Sequence, residues 1–101
     1  MYELRFSPKA SKFLKKLRDK RLRAAFQSAL NEIANDPSAG GAKSGDLAGI
    51  YGYDVYHNKT NYEIAYAVIE KDGSYVVVIL AGTRENFYDE LKRYWSPGFD
   101  V

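Results

Sequence analysis

Arg84 and Tyr88 follow the most hydrophobic segment of the chain, Tyr75 to Ala81 (YVVVILA), with only Gly82-Thr83 between. A guanidinium offers a planar fork of donors that suits phosphate oxygens. A phenol donates, accepts and stacks. An arginine and a tyrosine at the exit of a core strand are held close together, which suits anion or phosphate chemistry. A second pair is set by a turn. If a hairpin reverses symmetrically about Asn58-Lys59, Asp54 and Glu63 fall directly opposite each other on one face, with Tyr56 on the same row. Facing carboxylates repel, and that repulsion makes one of them a candidate general base. The alternative is an ion-pair cluster of Asp54 and Glu63 with Lys59, Lys43 or Arg84. His57 is the only histidine, the one side chain of a type that exchanges protons near neutral pH. At a hairpin tip it is either a surface residue or a contact to a ligand.

Composition narrows what these residues can serve. The 101 residues are expected to form one domain over 1–95, followed by a C-terminal tail at 96–101. With zero cysteines and one histidine, thiolate zinc and multi-histidine metal sites are not expected, and the chemistry is expected to need no cofactor. No apolar run approaches the roughly 20 residues that cross a bilayer, and the N-terminus does not resemble a signal peptide, so a cytoplasmic protein without membrane contact is expected. The net charge of +2 hides a division: residues 1–43 carry ten Lys/Arg against four Asp/Glu, and residues 44–101 carry five against nine. A basic half of this kind either faces a polyanion or is a solvated surface.

The elements that must position these groups are legible from pattern. Tyr2 to Phe6 alternates as a strand. Ser7-Pro8 is a helix start, with Ser as cap and Pro at the first position, predicting a helix from Pro8 to about Leu17 that buries Ala10, Phe13, Leu14 and Leu17. Asp19 caps a longer helix to about Asn35, whose Leu22, Ala25, Phe26, Ala29, Leu30 and Ile33 form one stripe; Asp36-Pro37 ends it. Eight residues between Lys9 and Arg23 are basic against one acid. Lys12, Lys16 and Arg23 among them, with Lys43, Lys59 and His57, are the candidate contacts to a nucleic acid. Ser38 to Gly49 is Gly/Ser-rich and is expected to be a loop. Strands follow over Ile50–Tyr56, Asn61–Glu70 and Tyr75–Ala81, the last two joined by an Asp72-Gly73 turn. After a break at Gly82-Thr83, a final helix spans about Asn86 to Tyr94 and stops at Ser96-Pro97-Gly98. The order is β-α-α-β-β-β-α, an α+β fold with a basic helical hairpin on one side of a small, twisted, mostly antiparallel sheet.

Three pieces in this order resemble the RelE/ParE superfamily of bacterial toxins, across about Tyr2 to Arg93. The first is the opening strand Y-x-L-x-F-S-P-x-A before the basic hairpin. The second is Leu47-x-Gly49 followed by Tyr53-x-Val55 and Tyr62-x-Ile64-x-Tyr66. The third is Gly82-Thr83-Arg84-x-x-Phe87-Tyr88 after the last strand. The resemblance implies a RelE-like (microbial RNase-like) fold and the toxin component of a type II toxin–antitoxin system, neutralised by a cognate antitoxin protein. For the RelE-like branch it implies a ribosome-dependent, metal-independent mRNA endoribonuclease, an mRNA interferase that inhibits translation by cutting mRNA in the ribosomal A site beside ribosomal RNA. The ParE-like branch instead inhibits DNA gyrase, and a member with a degenerated catalytic site is a third reading.

Metal-free RNA cleavage requires a base for the ribose 2′-hydroxyl, an acid for the 5′-oxygen and a cation for the phosphate. Arg84 and Tyr88 match the family's strand-end arginine and helix tyrosine. Elsewhere the chain departs from the pattern. The RelE type carries lysines at alternating positions after the first middle tyrosine, where this chain has Asp54 and Tyr56, and the arginine of its second motif is replaced by Glu63. YoeB-like members use a glutamate as base, so the implied catalytic set is Arg84, Tyr88, Glu63, Asp54 and Tyr56.

Overall fold

The computed structural model describes residues 1–95. The expected stop at Ser96-Pro97-Gly98 and the tail at 96–101 lie outside the described residues. Strand β1 (Glu3–Phe6) leads into helices α1 (Pro8–Lys15) and α2 (Lys20–Asn35). A two-residue strand β2 (Gly41–Ala42), then β3 (Tyr51–His57), β4 (Thr60–Glu70), β5 (Ser74–Thr83) and helix α3 (Phe87–Tyr94) complete the order. The strands make one five-stranded sheet, β1-β5-β4-β3-β2, in which only the β1–β5 pairing is parallel.

Local chemistry starts both helices of the hairpin. The Ser7 hydroxyl donates to Ile79 O at 2.6 Å and accepts from Ala10 N at 3.0 Å, so one side chain caps α1 and fastens it to β5. Asp19 accepts from Arg21 N and Leu22 N at 2.9 and 3.2 Å and caps α2. Those two N–H donors hold the Asp19 carboxyl below its ordinary pKa. Helix α1 ends at Lys15 rather than Leu17, because the chain tightens there into i→i+3 bonds, Lys16 N to Phe13 O and Leu17 N to Leu14 O. Of its four expected apolar contacts only Ala10 is fully buried; Phe13, Leu14 and Leu17 pack at the margin.

The α2 stripe (Leu22, Phe26, Ala29, Leu30, Ile33) covers Val55, Ile64, Tyr66, Val76 and Val78 on one face of the sheet. Phe26 meets Phe13 and Tyr62 edge-on, each at 5.6 Å between centroids. The opposite face is covered by α3, whose Phe87 and Leu91 pack with Leu47, Ile50, Ala65, Ala67, Val77, Ile79 and Leu80. A bulge at Ala65/Tyr66 lets β5 spend one extra residue, so Ile79 and Leu80 both join this second cluster.

Several boundaries differ from expectation. Gly82-Thr83 continues β5, pairing with Glu63 and Tyr62, because the ladder extends past the glycine up to Arg84 N, which donates to Asn61 O at 3.0 Å. His57 closes β3 opposite Thr60 instead of lying in the turn, which shrinks to Asn58-Lys59, both left-handed with φ 51° and 64°. The stretch expected to be a plain loop contains β2, paired Gly41↔Gly52 and Ala42↔Tyr51. Tyr66, fully buried, anchors that stretch: its hydroxyl donates to Pro37 O at 2.6 Å and accepts from Gly40 N at 2.9 Å. Replacing Tyr66 with Phe strands both partners, and we expect the unfolding free energy in urea to fall by about 1–3 kcal/mol. An unchanged midpoint would show that the segment holds itself without the hydroxyl.

Candidate functional site

The β3–β4 register places Asp54 opposite Glu63, as a symmetric turn requires, and β5 sets Gly82 on the other side of Glu63. All three lie on the face of the sheet that carries Ala65 and Ala67, the face on which α3 packs. Glu63 is the only buried charged residue among the described residues, 1% exposed. Burying a carboxylate costs several kcal/mol unless cations and donors meet it, and three groups from three parts of the chain do so. Lys43 Nζ, from the segment after β2, lies 3.1 Å from Glu63 Oε2. Arg84 Nε, just past β5, lies 3.4 Å from Oε1. The Tyr88 hydroxyl, from the first turn of α3, donates to Oε1 at 3.0 Å.

These groups also engage one another. Lys43 Nζ donates to the Tyr88 hydroxyl at 2.7 Å and sits 4.6 Å above its ring, and Arg84 Nη2 approaches the same oxygen at 3.4 Å. Burial pulls the Lys43 pKa down, but its hydrogen bonds to Tyr88 and Glu63 outweigh that, and the ammonium is held above its ordinary value. Tyr88, Asp54 and Glu63 likewise hold the Arg84 guanidinium above its own. The phenol therefore lies between two cations and a carboxylate, an arrangement that can move a proton between its oxygen and Glu63 while the cations face an incoming anion.

Of the two readings of the facing carboxylates, the structure has the ion-pair cluster, built with Lys43 and Arg84 and not with Lys59, rather than two acids in direct repulsion. Arg84 reaches both, with Nη1 3.9 Å from Asp54 Oδ1, so the facing charges share a counterion. The cluster runs from solvent to interior: the Asp54 side chain is 69% exposed whereas that of Glu63 is 1%. Tyr56 is exposed, farther along β3 toward the turn. His57 belongs to the opposite face with Tyr53 and Val55, its Nε2 3.6 Å from Asp19 Oδ2. Lys59 occupies the exposed turn, and Lys12, Lys16 and Arg23 are exposed on the helical hairpin across the sheet. The structure thus joins Arg84, Tyr88, Glu63, Asp54 and Lys43, and leaves Tyr56, His57, Lys59, Lys12, Lys16 and Arg23 outside that cluster. Gly52 escaped sequence reasoning. A Cβ there would overlap Glu63 Oε2 and come within 2.9 Å of Lys43 Nζ. Its only signal was a glycine inside an alternating strand, which marks a close approach.

Among the described residues no group of three or more His, Cys, Asp and Glu side chains is placed to hold a metal ion, and no helix is long and apolar enough to cross a membrane.

The family described as ParE-like toxin of type II bacterial toxin-antitoxin system matches residues 4–92. Two solved structures share the fold. One is the intact RelBE toxin–antitoxin complex of E. coli, where the matched chain is 26% identical with a TM-score of 0.65, covering 81% of this chain and 95% of that one. The other is the RelBE2 toxin–antitoxin complex of Mycobacterium tuberculosis, at 25% identity and a TM-score of 0.61, covering 82% and 98%. No curated protein matches the sequence. The buried carboxylate itself is open to test. Glu63→Gln keeps the shape but leaves Lys43 and Arg84 without their shared anion, and we expect about 1–3 kcal/mol lower stability in urea. Stability equal to wild type would mean that both cations simply rehydrate.

Proposed function

Because this chain belongs to the ParE-like toxin family of type II bacterial toxin–antitoxin systems, we propose that it arrests growth by cutting mRNA on the ribosome, in the cytoplasm, and that a cognate antitoxin neutralises it. The observation that carries this reading is the convergence of Arg84, Tyr88 and Glu63 on one end of the sheet. Arg84, with 44% of its side chain exposed, meets the non-bridging oxygens of the scissile phosphate and the charge that grows on them. The Tyr88 oxygen takes the ribose 2′-hydroxyl proton as its own passes to Glu63. The 2′-oxygen bonds to phosphorus, the bond from phosphorus to the 5′-oxygen breaks, and water protonates the departing oxygen. The products are a 2′,3′-cyclic phosphate and a 5′-hydroxyl. Asp54, exposed and beside Arg84, orients the guanidinium. Support for the RelE-type target also comes from the two structural neighbours, both chains of RelBE toxin–antitoxin complexes.

A second reading has its own observation. Two acids, Asp54 and Glu63, already balance Lys43 and Arg84, leaving little net positive charge for RNA, and the matching family is described as ParE-like. A toxin of that kind binds DNA gyrase and cleaves nothing. Inducible expression followed by mapping of mRNA 5′ ends separates the two. We expect new ends inside translated codons, present only with active ribosomes, and a loss of about 10²–10³-fold in cleavage rate for Arg84→Ala without loss of fold. Inhibited supercoiling with intact mRNA would establish the gyrase reading instead.

A further inference from the structure

The segment from Pro37 to Lys43 is held more firmly than its Gly/Ser composition requires. Tyr66 bonds it at Pro37 O and Gly40 N, and Gly40 is so close that a Cβ would lie 2.6 Å from the Tyr66 hydroxyl and 2.8 Å from Gly52 O. Gly41 and Ala42 pair with β3, and Lys43 N donates to Ile50 O at 2.9 Å. A linker needs none of these restraints. Their joint effect is to deliver one ammonium into the gap above Gly52, 2.7 Å from the Tyr88 hydroxyl. There it keeps 23% of its side chain exposed, while Glu63 beneath it keeps 1%. Lys43 and Arg84 therefore converge on one phenol oxygen, both reach solvent, and the anion that holds them cannot reach outward itself.

Resting on the ribonuclease reading, we propose that Lys43 is the second phosphate-binding cation of the site, contacting the scissile phosphodiester beside Arg84, and that the bare Cα of Gly52 is what seats it. Two cations around one phosphate neutralise more of its developing charge than Arg84 alone, and they fix the phosphorus against the Tyr88 oxygen. Gly52 is then a positioning residue that acts only through its neighbours.

The test uses purified protein on ribosomes programmed with a short mRNA, comparing wild type, Arg84→Ala, Lys43→Met, Lys43→Arg, Gly52→Ala and the Lys43→Met/Gly52→Ala double variant, each checked for folding by thermal melting. Single-turnover cleavage should slow about 10²-fold for Lys43→Met and recover at least partly in Lys43→Arg. Gly52→Ala, whose methyl crowds Glu63 Oε2 as well as Lys43 Nζ, should be at least as slow as Lys43→Met, and the double variant should be no slower than Gly52→Ala alone. Binding to ribosomes carrying a non-cleavable 2′-deoxy mRNA should lose about 0.7 from its log–log salt slope in Lys43→Met, the share of one phosphate contact on a single strand. Should Gly52→Ala fail to fold, the contrast between Lys43→Met and Lys43→Arg decides alone. Wild-type rates in Lys43→Met, or multiplying losses in the double variant, overturn the assignment while Arg84→Ala still upholds the ribonuclease. Wild-type protein that cuts nothing overturns both.

Discussion

A carboxylate sealed under the last helix is the constraint around which this molecule is arranged. Glu63 lies near the start of β4, the central strand of the sheet, on the face that farther along carries Ala65 and Ala67. Taken out of water without compensation, it would cost a sizeable fraction of the 5–15 kcal/mol or so by which a domain is stable at all. Its compensation comes from Lys43, Arg84 and Tyr88, which belong to a connecting segment, a strand exit and a helix. Those three pieces of chain must therefore be in place together, and the cluster couples the position of each to the other two. The charge that looks like an intrusion in the core organises the end of the sheet.

The two helical layers divide the work. The hairpin of α1 and α2 supplies the larger aromatic and aliphatic cluster on one face, so the other face has room for a smaller cluster under α3 and a polar end beyond it. Phe87 is buried in that cluster and Tyr88, its neighbour, turns to Glu63, so one turn of helix closes the apolar layer and begins the polar one. Small residues matter as much as charged ones here. Ala65 and Ala67 let α3 approach the sheet, and Gly40 and Gly52 let the Lys43 segment lie against β3.

What the sequence disclosed and what it withheld follow from the range of the forces involved. Caps at Ser7 and Asp19, the stripe of α2 and the Asn58-Lys59 turn are local, and each is present. The turn alone carried the Asp54–Glu63 register, because a two-residue reversal leaves one pairing. The rest depends on contacts distant in sequence. Nothing in Gly41-Ala42 announces a strand; it pairs because Tyr66 holds the segment in reach. Lys43 was one of three cations that could have paired with the two acids, and only the vacancy at Gly52 shows why it is seated on Glu63. The pattern set Glu63 and Asp54 opposite each other as equals, whereas Tyr88 of α3 encloses Glu63 and leaves Asp54 exposed. The glycine at 82 suggested a break where ladder bonds to β4 continue.

The parallel pairing of β1 with β5 joins Glu3–Phe6 to Tyr75–Val78. During synthesis the first strand thus emerges long before its partner exists, and the helical hairpin has no sheet to rest on until β4 and β5 have followed. Closing so large a loop is entropically expensive and slow relative to local contacts. The helices can form early, but the sheet that shapes the cluster around Glu63 can assemble only after β5 has been made.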